Sequence, residues 1–298
     1  MTPWTDRTGA LSPIRAVTFA ALFMPGTWLI GSLLAGDLGP RPFTELVHES
    51  GLWTIRLLFL SLAVTPLRRL LRWPELISVR RMIGVAALAY ALLHLAAFAA
   101  DQMFDLARVA AEIVLRVYLA VGAVALLALV PLGVTSTNGM MKRLGGRRWR
   151  HVHQAVYAIA LLGTVHFFWQ AKLDASEALV MGGLLLWLYG YRALEALAER
   201  PPLGLAQAGA LAIGTGLVTA LGEAVYFQLR FGVDAGRILP ANVAFEAGWR
   251  PAWTVLAICL GVALLATIRI GFETRPKPAM NLAVSAASAA PRSPTRPR

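Results

Sequence analysis

Five histidines carry most of the chemistry open to this 298-residue chain: His48, His94, His151, His153 and His166. The sole cysteine, Cys259, can form no disulfide within the chain, and no glycine-rich phosphate loop, Cys/His zinc spacing or nucleophile elbow occurs. His94 lies in ALLHLAAF and His166 in GTVHFFWQ, each inside a stretch without charged residues. An ionisable ring in such a setting faces a bundle interior and needs a partner. Two facing neutral imidazoles can clamp a haem, one nitrogen on each axial side of the iron. The competing reading has each ring hydrogen-bonded to a neighbouring helix through a hydroxyl or a carbonyl.

The elements that must position these rings follow from composition. Apolar residues make up 57% of the chain and charged residues 15%, whereas a soluble domain runs at about 25% charged. The chain therefore belongs in a bilayer, and its net charge of +12 reports topology before it suggests nucleic acid, which is not expected as a partner. Crossing the hydrocarbon takes about 20 residues. Stretches 16–36, 82–100, 117–141, 151–171, 201–222 and 251–268 are free of charge, while 51–66 carries Arg56 and the stretch from 178 meets Arg192. With these two, whose charged ends must snorkel, the expected fold is an all-α membrane bundle of about eight transmembrane helices.

Lys and Arg alternate in density along the spans. One side collects 20 of them, five in the 67–81 connection and five in 142–150, and the other holds seven. The richer side is cytoplasmic, so both termini are expected inside and odd-numbered spans run outward. The first span, at 21 uncharged residues, exceeds the usual apolar region of a signal peptide and is expected to stay as an anchor. The Pro-, Ser- and Ala-rich end of the chain is expected to be a disordered cytoplasmic tail.

Orientation gives the histidines a depth. Asp101 follows His94 by seven residues and Lys172 follows His166 by six, so both rings are expected roughly 10 Å inside the outer boundary, in one layer. His151 and His153 begin the fifth span after GGRRWR. On an ideal helix His151 lies nearer the face of His166 than His153 does. On the third span Arg80, not a second histidine, stands at the corresponding inner position. Mixed ligation, or an anionic group held by Arg80, Arg81 and the 142–150 segment, is the chemistry open there, and a plain topology signal is the alternative. His48, in ELVHESG, is placed on the outer surface without a role, and Glu223 at the edge of the seventh span is a weak hint of function.

The stretch from about 48 to 195 resembles the MsrQ (YedZ) family, within the ferric-reductase-like transmembrane group. The resemblance is carried by HESG, AVTPLRR, RRMIGVAALAYALLHL and VTSTNGMMKRLGGRRWRHVHQAVY running into GTVHFFW. It implies a six-helix haem-binding domain over 1–200; the two additional transmembrane helices with an outer loop over 201–272 are a departure from that pattern, and the tail occupies 273–298. It implies that His94 and His166 are axial ligands of a b-type haem, within an apolar shell of Leu93, Leu95, Phe98, Phe167 and Phe168. The family's third histidine falls on His153, with Trp149 and Tyr157 around it, and Arg80 joins the cofactor-binding set.

The resemblance further implies an inner-membrane electron-transfer subunit. Its electrons would come from a cytoplasmic flavin reductase or the quinone pool, with flavin mononucleotide (FMN) as an additional cofactor. They would pass to the periplasmic molybdenum-cofactor reductase MsrP, which reduces methionine sulfoxide in proteins. The chain itself then needs no substrate acid or base, and none is found. A generic ferric or quinone-linked transmembrane reductase is the alternative; a haem-free transporter is disfavoured because no inverted repeat is evident.

Overall fold

The computed structural model describes residues 2–6, 8–171, 174–198, 203–244, 246 and 248–273. Nearly all of the expected tail lies outside these residues, as does Lys172. Among the described residues the chain forms ten α-helices: α1 Pro13–Ala35, α2 Pro42–Leu70, α3 Ile77–Asp101, α4 Leu106–Leu115, α5 Val117–Val134, α6 Asn138–Gln170, α7 Ser176–Leu197, α8 Leu205–Phe231, α9 Ala235–Ala241 and α10 Pro251–Glu273. Seven of them, α1, α2, α3, α5, α6, α8 and α10, are long and apolar enough to cross a membrane. The remaining expected span is α7, made less apolar by Glu177, Arg192 and Glu195.

Two antiparallel helix pairs carry the histidines. α2 packs along α3, α5 packs along α6, and α3 also meets α5. Helix α2 is the most enclosed of the four, with Leu52, Ile55, Leu58, Phe59 and Leu62 all buried. Its one mid-helix charge, Arg56, does not merely reach for the headgroups. The guanidinium lies 5.2 Å over the Trp53 ring and meets Glu177 of α7 at 3.2 Å. Below it, Arg69 near the end of α2 pairs with Glu195 near the end of α7. These two ion pairs clamp α7 to α2 at both ends.

Helix α1 is fixed by one hydroxyl. Pro25 interrupts its hydrogen-bond ladder. One residue on, the N–H of Gly26 donates to Tyr90 Oη at 2.7 Å, and that hydroxyl donates to the Leu22 carbonyl at 2.9 Å. The side chain from α3 thus occupies the place of a rung.

Several boundaries differ from the sequence reading: α2 starts at Pro42, so His48 lies within it, and α5 ends at Val134. The basic 142–150 segment is helical, part of α6, with a break at Gly145, whose φ of 71° lies in the left-handed region. The segment starts as a helix because Thr137 accepts from the Met140 N–H at 3.2 Å, and Trp149 Nε1 donates to the Thr135 carbonyl at 3.0 Å to hold its second half. Helix α8 continues past 222 to Phe231, so Glu223 lies within it. Between α3 and α5 stands α4, an amphipathic helix capped by the Asp105 carboxylate, which accepts from the Arg108 N–H at 3.0 Å.

The last three long helices form a second layer. Helix α10 packs on α8 and α7, and α7 on α8. Glu223 is buried there, accepting from Asn242 Nδ2 at 2.9 Å and pairing with Arg250 at 3.3 Å. Trp253 Nε1 donates to the Asn242 carbonyl at 2.8 Å. A buried carboxylate needs such partners, and these fasten the connection after α8 back onto the helices. The Glu223 hint resolves into this fastening role.

Candidate functional site

His94 and His166 meet. Their ring centroids are 6.3 Å apart and their planes cross at 84°. Each ring is held from behind by the helix preceding its own. His94 Nδ1 lies 2.8 Å from the carbonyl of Val47 on α2, and His166 Nδ1 lies 2.7 Å from the carbonyl of Tyr118 on α5. A carbonyl only accepts, so in each case Nδ1 carries the proton and donates it, leaving the Nε2 lone pair for a ligand. Neither Nε2 makes a hydrogen bond within the described residues. The hydrogen-bonded alternative and the ligand alternative thus coexist: one nitrogen of each ring is bonded to a helix and the other is free.

That arrangement fits an iron. A metal–imidazole nitrogen bond is about 2 Å and the ring centre lies about 1 Å further back, so two imidazoles on opposite faces of one metal have centroids about 6 Å apart. Among the described residues no group of three or more His, Cys, Asp or Glu side chains gathers into a metal cage. Two imidazoles alone suit a metal whose remaining positions are filled by a porphyrin. The Nδ1–H to carbonyl bond is the outer-shell contact that fixes tautomer and ring orientation in such sites. Leu93 and Phe167 pack toward the core beside the rings. Phe168 instead leans on Gly182 of α7 and lines a pocket of about 340 Å³ with Tyr118, Trp169, Tyr226 and Arg230.

A second cluster lies near the start of the apolar part of α6, away from His166. His153 stacks on Trp149 with centroids 3.8 Å apart and planes at 26°. Its Nδ1–H donates to the Trp149 carbonyl at 3.1 Å, and its Nε2 is 3.4 Å from Ser136 Oγ, at the long limit of a hydrogen bond. Arg80 is half-buried, donates to Thr65 Oγ1 at 3.3 Å, and lies close enough to interact electrostatically with both His153 and Arg192. Arg192 sits 5.1 Å over the Tyr157 ring and donates to the Leu62 carbonyl at 3.1 Å. Beside it an open pocket of about 600 Å³ is lined by Arg69, Tyr157, Tyr189, Arg192 and Glu195. No second histidine faces His153.

His151, preferred by the ideal-helix count, is exposed, and so is His48. Within α6 the break falls at Gly145, before either histidine. His153 is met by Ser136 and Arg80, not by an apposed ring. The carbonyls of Val47 and Tyr118, which sequence reasoning missed, carry no residue-type signal at all.

The class of protein is that of a membrane-spanning helical bundle with two apposed imidazoles, and the family comparison agrees with the fold. Residues 50–164 match the family described as Ferric reductase like transmembrane component. Over 187 residues the chain is 42% identical to the protein-methionine-sulfoxide reductase heme-binding subunit MsrQ of Rhodospirillum rubrum, a match covering 62% of this chain and 90% of that relative. The subunit of the same name from Azospira oryzae is 39% identical over 62% of this chain and 80% of its own length. That from Caulobacter vibrioides is 36% identical over 61% and 87%. The chain belongs to the MsrQ family. No solved structure matches it.

Proposed function

We propose that this chain is a haem b electron-transfer subunit of the inner membrane, serving a periplasmic methionine-sulfoxide reductase of the MsrP type. The observation that carries this reading is the His94–His166 pair: 6.3 Å between ring centres, with both Nδ1 protons committed to carbonyls. The names of the relatives, heme-binding subunits of protein-methionine-sulfoxide reductase, support the cofactor and the system it serves. A haem held there supplies one-electron chemistry between ferric and ferrous iron. The protein's own part is to fix the two imidazoles, keep water away with its apolar shell, and set the depth of the centre. With both termini cytoplasmic, a reading the Lys and Arg distribution supports, that centre lies nearer the outer face and the acceptor.

Electrons enter at the inner end, from a cytoplasmic flavin reductase or the quinone pool. The inner pocket has aromatic walls in Tyr157 and Tyr189 and a cation in Arg192, with Arg69 held by the Glu195 carboxylate and Arg80 close to Arg192. That chemistry fits a planar ring bearing a phosphate, such as FMN. His153, whose Nε2 lies 3.4 Å from Ser136 Oγ, is the third cofactor-facing histidine. Methionine sulfoxide is reduced on the partner, and this chain contributes no acid, base or nucleophile to that step.

The test is a dithionite-reduced minus oxidised visible spectrum of the purified protein and of His94→Ala and His166→Ala. The wild type is expected to show b-type bands and each variant to lose them. A colourless wild type, or variants with full haem, would overturn the site. Reoxidation of the reduced protein by purified MsrP plus methionine sulfoxide tests the partner; failure of that step alone would leave a generic membrane reductase.

A further inference from the structure

The two histidines are backed by the same construction, and it includes residues to which no role is attached. On α2 the carbonyl of Val47 receives the His94 proton, and one turn further on stands Gly51. On α5 the carbonyl of Tyr118 receives the His166 proton, and one turn further on stands Gly122. A Cβ at Gly51 would lie 2.9 Å from both Cε1 and Nδ1 of His94. A Cβ at Gly122 would lie 2.8 Å from Nδ1 and 2.9 Å from Cε1 of His166. In each case the nearest atoms belong to the imidazole and to nothing else.

We propose that Gly51 and Gly122 are positioning residues for the paired imidazoles, each supplying the empty side-chain position into which one ring is set so that its Nδ1–H reaches the carbonyl a turn earlier. This rests on reading His94 and His166 as iron ligands. The ring cannot avoid a methyl group by sliding along α2 or α5, because the hydrogen bond and the gap lie on successive turns of the same helix. Moving away by the few tenths of an ångström that a methyl demands stretches a 2.8 Å or 2.7 Å bond or rotates the ring about it. Distance and rotation are set together, once on each helix pair, and the 84° between the ring planes is the outcome of both. Glycine weakens a helix interior relative to alanine, so the sequence accepts a local loss at these two positions. Exposed Gly31 of α1, by contrast, has no atom within 4 Å of an added Cβ.

Full-length Gly51→Ala, Gly122→Ala and Gly31→Ala, with Gly51→Ala repeated in a His94→Ala background, decide the matter. The readouts are haem per chain, the low-spin ferric electron paramagnetic resonance signal, which senses the angle between imidazole planes, and thermal unfolding in detergent. Wild type is expected to give the strongly anisotropic signal of crossed imidazoles. Gly51→Ala and Gly122→Ala are expected to bind haem on the order of 10- to 100-fold more weakly, the usual cost of losing an outer-shell contact, with the residual signal shifted. Gly31→Ala keeps both properties. Without the His94 ring, Gly51→Ala should melt no lower than its parent. The assignment is overturned if Gly51→Ala and Gly122→Ala keep wild-type haem and signal, or if Gly51→Ala lowers the melting temperature equally with and without His94. A haem-free wild type would overturn the ligand reading instead, and the melting comparison would still decide whether the glycine accommodates the ring.

Discussion

At the scale of single residues, His153 and His151 stand two positions apart and differ in everything but type. His153 is stacked on Trp149 and bonded on one nitrogen, while His151 is exposed with a 3.3 Å contact to the Arg147 carbonyl. Removing the stack with His153→Ala should cost about 0.5–1.5 kcal/mol, the usual worth of an aromatic pair, whereas His151→Ala should stay within about 0.5 kcal/mol of wild type. Thermal unfolding of the two variants followed by circular dichroism checks both. The pair His94 and His166 was legible because an imidazole in an apolar run is chemically conspicuous and depth can be counted. The contacts behind it were not, because a carbonyl belongs to every residue and a glycine registers only as something missing.

At the scale of elements, the charge-free runs marked the membrane helices well, since hydrocarbon selects for composition over a length of about 20 residues. Composition says little about where a helix ends in water. The Lys/Arg-rich segment read as a loop because charge was its only visible property, yet a Thr137 cap and a Trp149 side-chain bond suffice to make it helical on either side of Gly145. Helix contacts were equally hidden. Gly183 on α7 is where α8 and α10 close in: a Cβ there would come 2.4 Å from Thr219 Oγ1 and 2.6 Å from Val255 Cγ2. Gly183→Ala should therefore destabilise the junction by about 1–3 kcal/mol, as overpacking does, seen as a lower melting temperature with the ferric low-spin signal unchanged.

At the scale of the whole molecule, the later helices form a layer with its own buried polar centre in Glu223, Asn242 and Arg250. Glu223→Ala leaves the Arg250 guanidinium without its counter-ion, at a cost of about 3 kcal/mol. The connection between α8 and α10 should then become cleavable by trypsin at Arg237 in detergent, while haem binding is retained; haem loss would show the two layers to be one cooperative unit. Topology is open to a direct check because Cys259, the only native thiol, is buried. Arg108→Cys is expected to react with a membrane-impermeant thiol reagent in intact spheroplasts. Lys142→Cys is expected to react only after lysis.

The Tyr90 hydroxyl has a mechanical meaning as well. It replaces one rung of α1 and belongs to the turn of α3 immediately before His94. Any force that draws the first helix along its own axis must either snap two short polar links inside the hydrocarbon or pull the neighbouring helix, and with it the His94 ring, in the same direction.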